Sequence, residues 1–180
     1  MAKYNKWNIA EYLRKQGAQI GDNCYIQVRS LGDEPYLVKI GNHVFISAGV
    51  IFLTHDAGAW IFNEEIPDIS AFGNIIIEDN CFIGAKSVLL PNIRIGKNSI
   101  VGAGSVVISD IPPNSIVMGV PARIFSSNLK YKEKCLTRWK EQKPPDYLEY
   151  NNQLTSKRHK ENRQKLRNHL MNLFDDHMPL

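Results

Sequence analysis

Large apolar residues recur every sixth position through most of this chain. Ile77, Ile83, Leu89, Ile95, Val101 and Val107 form an unbroken row, and the same register holds at Ile40, Ile46 and Phe52 and at Ile20 and Ile26. A period of six is neither the 3.6 of a helix nor the 2 of a simple strand. It suits a short strand, a tight corner, and another short strand. Three such units make an 18-residue coil, and stacked coils pair strand on strand in parallel with each aliphatic turned inward. A β-sandwich with regular strands would instead space its strands 8–12 residues apart.

The residues around each aliphatic fit that geometry. The next position is glycine at Gly21, Gly41, Gly84, Gly96 and Gly102. Three positions on stand Asn23, His43, Gly49, His55, Asn80, Asn92, Asn98, Gly104 and Asp110, residue types that tolerate a left-handed corner, with Arg29 and Lys86 as exceptions. Four positions on stand Cys24, Ser30, Cys81, Ser87, Ser99 and Ser105, small enough for a crowded inner corner.

The register breaks twice. Residues 31–36 (LGDEPY) add two to the spacing and predict a bulge. Residues 57–74 leave the coil as one long loop, a length usually tied to function or disorder. Its Trp60, Phe62, Ile66 and Phe72 are too apolar for disorder and predict packing on this chain or on a neighbouring subunit. Residues 1–16 read as a capping helix with Trp7, Ala10, Leu13 and Arg14 on one face, ended by Gly17. Residues 17–125 read as the repeat domain, and 126–180 as a helical extension with helices over 128–142 and 147–174. Ser126 and Ser127 are candidate caps for the first.

Composition narrows the function classes. The chain has 180 residues, 43% hydrophobic and 22% charged, enough for a buried core without disulfides. Residues 1–126 carry 10 basic against 11 acidic side chains, and 127–180 carry 12 against 7. A near-neutral body with a basic tail argues against a nucleic-acid-binding domain. Cys24, Cys81 and Cys135 are scattered, without a CxxC pair, which argues against disulfides and a cysteine zinc site and fits a reducing compartment. The N-terminal residues carry charges every few positions and no apolar core of a signal peptide, and no stretch reaches transmembrane length. A cytoplasmic protein with no transmembrane segment is the expectation.

The repeats, the histidine before a long loop, and above all IVGAGSVVISDIPPNSIVMGVPARIF (100–125) resemble the hexapeptide-repeat acyltransferases. The nearest branch in character is the sugar O-acetyltransferases of the maltose/galactoside and capsule or lipopolysaccharide types. The resemblance covers about residues 17–125. It implies a mainly β fold, a left-handed parallel β-helix, assembled as a homotrimer with active sites in clefts between prisms and acetyl-CoA as cosubstrate. It also implies a sugar or glycan acceptor in surface polysaccharide or glycan biosynthesis.

The resemblance implies the following site. His55, in THD before the loop, matches the catalytic general base. Ala85 in IGAKS matches the residue whose main-chain N–H stabilises the oxyanion and touches the cofactor. Ala103, Ile108, Ser109 and Arg123 match cofactor-contacting positions, although Ser109 stands where a lysine is frequent. Lys86 and Arg94 are further candidates for phosphate contacts. Gln27, Asp33 and Glu34 lie where acceptor contacts fall. Gln27 in place of an asparagine, and Pro35 in place of an acid, set this chain apart from the galactoside type. Asp33 and Glu34 have two readings, reaching His55 or the acceptor, or forming a solvated turn.

The alternatives differ in chemistry. An N-acetyltransferase of a nucleotide-linked amino sugar would share fold and cofactor. A zinc carbonic anhydrase on the same prism needs three converging histidines, whereas His43 and His55 lie 12 apart rather than stacked at 18. A non-enzymatic scaffold would have no use for a histidine beside an apolar loop. No metal is expected.

Overall fold

A computed structural model describes residues 8–145, 147 and 156–175. They form two compact units, 1–131 and 132–180. In the first, thirteen short strands fall into three sheets that the chain visits in turn. One sheet contains β1 (Gln19–Ile20), β3 (Val38–Ile40), β6 (Ile75–Ile77) and β9 (Ile93–Ile95). The second contains β2 (Tyr25–Ile26), β4 (Phe45–Ile46), β7 (Phe82–Ile83), β10 (Ile100–Val101), β12 (Ser115–Met118) and β13 (Arg123–Ser127). The third contains β5 (Ile51–Phe52), β8 (Val88–Leu89) and β11 (Val106–Val107).

Pairing is parallel, and its register follows the six-residue pattern. Ile83 lies opposite Val101, Leu89 opposite Val107, and Ile77 opposite Ile95, each 18 residues on. All eleven periodic aliphatics are buried, from 0 to 9% exposed, and share one core. The glycines that follow them sit where coils press together: a Cβ on Gly84 would run into the Ala103 nitrogen one coil on.

The small residues four positions past each aliphatic do more than save space. Cys24, Cys81, Ser87 and Ser99 donate to the carbonyls of Gly41, Gly96, Gly102 and Pro112 on the adjacent coil, at 3.0–3.3 Å. They supply hydrogen bonds to backbone acceptors at the crowded inner corners, and the Gly102 carbonyl also accepts from Ser105 Oγ at 2.7 Å. Burial pushes the Cys81 thiol up to about 11, so it is a structural group rather than a nucleophile.

The corners correct the sequence reading at three places. Asn23, His43, Asn80, Asn92 and Asn98 take positive φ as expected, but Lys86 does so too, at +59°. His55 and Asp110 do not. Neither belongs to a regular corner: His55 opens the long loop, and Asp110 precedes Ile111, which pairs with Ile95 after 16 residues instead of 18. His43 joins a ladder of corner side chains, His43–Asn80–Asn98–Asn114, with steps of 2.7–2.9 Å. That is a structural role.

The helix expected at the N-terminal end covers Ile9–Lys15 (α1), with residues 1–7 outside the described part. It buries Ile9 and Leu13 against the first coil, so Ile9 and not Arg14 anchors its inner face. Arg14 instead donates to the carbonyls of Ile20 and Gly21 at 2.8 and 2.6 Å. At the other end the parallel pattern stops: β13 returns antiparallel along β12. The cue was present in Gly119 and Pro121 of GVPAR, a turn-forming pair. Helix α2 (Asn128–Gln142) follows, and the Lys130 N–H donates to Ser127 Oγ at 3.4 Å as a cap. The second unit holds the rest of α2 and α3 (Ser156–Asp175). The helix expected over 147–174 is described only from 156 onward.

Candidate active site

Both interruptions of the repeat converge on one place. The first bulge carries Gly32, Asp33 and Glu34 into a short 3-10 turn over Pro35–Leu37. The second leaves β5 through Thr54, His55 and Asp56. Its neck is closed by antiparallel contacts: Gly73 N–H donates to the Thr54 carbonyl at 2.9 Å, His55 bridges Phe72, and Asp56 N–H donates to the Ala71 carbonyl at 2.7 Å. A 3-10 turn over Ala57–Phe62 begins the loop proper, capped by Asp56, whose Oδ1 accepts from Gly58 N–H at 2.9 Å.

At the junction Glu34 Oε2 lies 3.0 Å from His55 Nδ1 and accepts from Thr54 Oγ1 at 2.5 Å. The Glu34 main-chain N–H donates back to Thr54 Oγ1 at 3.3 Å. Thr54 is 1% exposed. Gly32 is fitted to it as well, because a Cβ there would approach Thr54 Oγ1 to 2.6 Å. The bulge is therefore pinned to the strand that carries His55.

The electrostatics follow. Hydrogen bonds from Thr54 and then from His55 hold the Glu34 carboxyl below its usual range. The Glu34 hydrogen bond is the main cause raising the His55 imidazole above its usual value. An ionised carboxylate only accepts, so Nδ1 carries the hydrogen and Nε2 is left as the ring's proton acceptor. His55 keeps 34% of its side chain accessible, while Glu34 keeps 15%. The imidazole is partly open and its partner is shielded.

His55 borders three depressions. One, about 420 Å³, lies under the loop between Glu34, Trp60, Asp68 and Phe72. A second, about 340 Å³, runs along Asp33, Gly32 and Leu53. A third, about 540 Å³, has apolar walls from Leu53, Phe72, Leu90, Pro91 and Ile108.

Of the candidates from sequence, the fold thus gathers His55, Glu34, Asp33 and Ile108. It does not bring Gln27 to them: Gln27 Oε1 accepts from Ala48 N–H at 3.0 Å at another corner. Ala85 and Ala103 also stand at the corner between the second and third sheets, one coil apart, away from His55. Among the described residues nothing accepts from the N–H of Ala85 or Ala103, whereas the N–H of Ala48 at the same corner one coil earlier, and those of Asn42 and Lys97 at a different corner, are taken by side chains. Ser109 is exposed, and exposed Arg123 donates to the Ala122 carbonyl at 3.0 Å. Thr54 was missed in the sequence, where nothing but its place beside His55 marks it. Among the described residues no cluster of three or more His, Cys, Asp or Glu could hold a metal ion. No helix of the described residues is long and apolar enough to cross a membrane.

Residues 74–109 match the bacterial transferase hexapeptide family, a model of six repeats. Protein CapG of Staphylococcus aureus is 45% identical over 138 residues, 74% of this chain and 80% of that protein. The chain belongs to the hexapeptide-repeat transferases, a family of enzymes. The galactoside O-acetyltransferase of Lactococcus lactis is 29% identical over 156 residues, 69% of this chain and 72% of that protein. A solved hexapeptide-repeat acetyltransferase from Vibrio cholerae superposes with a TM-score of 0.58 over 70% of this chain and 82% of its own. A second structure of that protein, at 0.52, is a complex with acetyl-coenzyme A, and covers 70% and 79%. Both share 24% identity with this chain, a likeness of fold.

Proposed function

We propose that this chain is an acetyltransferase that moves the acetyl group of acetyl-CoA to a sugar hydroxyl, with His55 as general base, in the building of a surface polysaccharide or glycan. The observation that carries this is the Glu34–His55 pair, which leaves Nε2 as a partly open proton acceptor beside three depressions on a hexapeptide-repeat scaffold. A sugar hydroxyl is a poor nucleophile until it loses its proton as it attacks. Nε2 takes that proton while the acceptor oxygen bonds to the thioester carbon. The C–S bond then breaks, and the imidazolium returns the proton to the departing thiolate. No enzyme nucleophile is consumed, and Glu34 supports the transient positive charge on the ring.

Ala85 is proposed as the oxyanion donor, since its unpaired N–H is free to receive a developing negative charge. Ala103, Ile108, Ser109 and Arg123 are proposed along the CoA path. Ala85 and His55 stand on different corners of one chain, so a single copy does not assemble both beside one substrate. Apolar loop residues outside the pocket point the same way, with Ile61 70% and Phe62 49% exposed. A homotrimer of left-handed β-helices, its sites in the clefts between copies, joins one chain's His55 to a neighbour's Ala85 corner.

The test is mass spectrometry of products formed from acetyl-CoA and a panel of sugars, nucleotide-sugars and lipid-linked glycans, with sedimentation to establish the trimer. An acetyl group released by mild hydroxide marks an ester. An acetyl that survives that treatment marks an amide and shifts the assignment to an amino-sugar N-acetyltransferase.

A further inference from the structure

The pocket beneath the loop differs in character from the other two at His55. Its charged side chains are Glu34, Asp56 and Asp68, together with His55 itself. One wall is Trp60, 73% exposed. An exposed indole is ordinarily free to turn, but this one is clamped. With the Asn63 amide oriented to satisfy both its atoms, it accepts from Trp60 Nε1 at 3.0 Å and donates to the Trp60 carbonyl at 2.7 Å. Phe72 also lines the pocket, edge-on to the His55 ring with centroids 6.2 Å apart. At about 420 Å³ the space lies in the range of small-molecule sites.

We infer that this pocket is the acceptor site, that the Trp60 indole is its stacking platform, and that it takes an uncharged or amino-bearing pyranose in preference to an acidic one. The inference rests on the function proposed above. A pyranose presents C–H groups on its faces and hydroxyls around its rim. The faces pack against a fixed aromatic ring, and the rim hydroxyls donate to carboxylates, which only accept. A rigid ring held in place loses little freedom on binding, which is why the Asn63 clamp matters. A uronate or sugar phosphate would place its negative charge among Glu34, Asp56 and Asp68, where like charges disfavour binding. The apolar depression beside Ile108 is left for the thioester end of the cosubstrate.

The experiment has two readouts on the full chain. Tryptophan fluorescence is titrated, without acetyl-CoA, with methyl glycosides of glucose, galactose and mannose, the corresponding amino sugars and the matching uronic acids. Acetyl transfer to the same panel is measured separately. Neutral or amino glycosides are expected to perturb a signal that Trp60→Phe removes, and to show kcat/KM at least tenfold above the uronates. Asp68→Lys is expected to narrow that ratio. Trp60→Ala is expected to raise the acceptor KM about tenfold while the KM for acetyl-CoA holds. Equal use of uronates, or an unchanged acceptor KM in Trp60→Ala, overturns the inference and leaves the acetyltransferase intact. Sugar-dependent quenching at Trp60 without any transfer supports the pocket and overturns the function proposed above. Neither quenching nor transfer overturns both.

Discussion

The repeat body and the loop at 57–74 treat their apolar residues in opposite ways. The body buries every periodic aliphatic within its own coils, most of them at 2% exposure or less. The loop, from the same chain and no less apolar, leaves Trp60, Ile61, Phe62, Ile66 and Phe72 between 49 and 73% exposed. The body is satisfied by itself. The loop is ordered by its neck, its Asp56 cap and its Asn63 clamp, and its apolar surface waits for something outside the chain. The proposed chemistry sits on the seam between the two, because Glu34 comes from one interruption of the repeat and His55 from the start of the other. A perfectly regular coil has no room for either.

The sharpest way to break this division is at the seam. His55→Ala is expected to lower kcat by about 10²–10⁴-fold, the range for a positioned general base. Acetyl-CoA binding should stay near wild type and the thermal transition should shift little, because the imidazole is partly exposed and lies outside the core formed by the periodic residues. Retained turnover in a folded variant would remove His55 from the mechanism.

The body should respond in the opposite sense. Leu89 is fully buried, opposite Val107 and Phe52 in the third sheet. Leu89→Ala is expected to cost about 2–5 kcal/mol of stability by denaturant melt. The fraction that remains folded should keep the wild-type pH dependence of kcat, since nothing at the Glu34–His55 pair has changed.

These two substitutions also mark what could be read in advance. The body was legible because one inward position in six must be large and apolar, and its failures were local. Lys86 adopts a left-handed corner against its type, while His55 and Asp110 do not adopt one despite theirs. The site was legible only in part. His55 stood out by its place before the loop, but its partner could not be fixed, since Asp33 and Glu34 in the distant bulge could equally have formed a solvated turn. The choice falls to Glu34 through three-dimensional facts: Thr54 Oγ1 and the tight fit at Gly32 steer the bulge, and Asp56 is spent on Gly58. No spacing rule carries that information.

Glu34→Gln tests this pairing at a smaller scale. His55 serves as a base only when neutral, and Glu34 raises its pKa. Wild-type kcat should therefore rise with pH through a midpoint above the ordinary imidazole value. Without the carboxylate, the imidazolium loses its main support and the midpoint should move down. The plateau should fall by about tenfold, below the roughly 10²–10⁴-fold of the general base itself, because Glu34 acts through His55 and a glutamine amide can turn and donate to Nδ1 instead of holding it as the donor. A tenfold loss with an unmoved midpoint would make Glu34 a packing residue only.

The smallest effect is predicted at Lys86, where a left-handed corner is occupied by a residue type that does not favour it. Lys86 has φ +59°, where Asn23, Asn80, Asn92 and Asn98 occupy the equivalent corners. A left-handed backbone strains a lysine more than an asparagine, whose short amide can bond locally. Lys86→Asn should relieve part of that strain and raise stability by about 0.5 kcal/mol, within the usual yield of such backbone-compatible changes. The opposing term is the lysine stem, whose Cγ lies at van der Waals distance from a position above Gly49, so some packing is lost with it. The same variant separates two roles for the side chain, because Lys86 follows Ala85, the proposed oxyanion donor. If its ammonium is only a solvated corner group, the KM for acetyl-CoA stays within about twofold of wild type. A fivefold rise in that KM, with KM for 3′-dephospho-acetyl-CoA unmoved, would instead place Lys86 on the cofactor's 3′-phosphate, and the strain at its corner would then be the companion of a binding role.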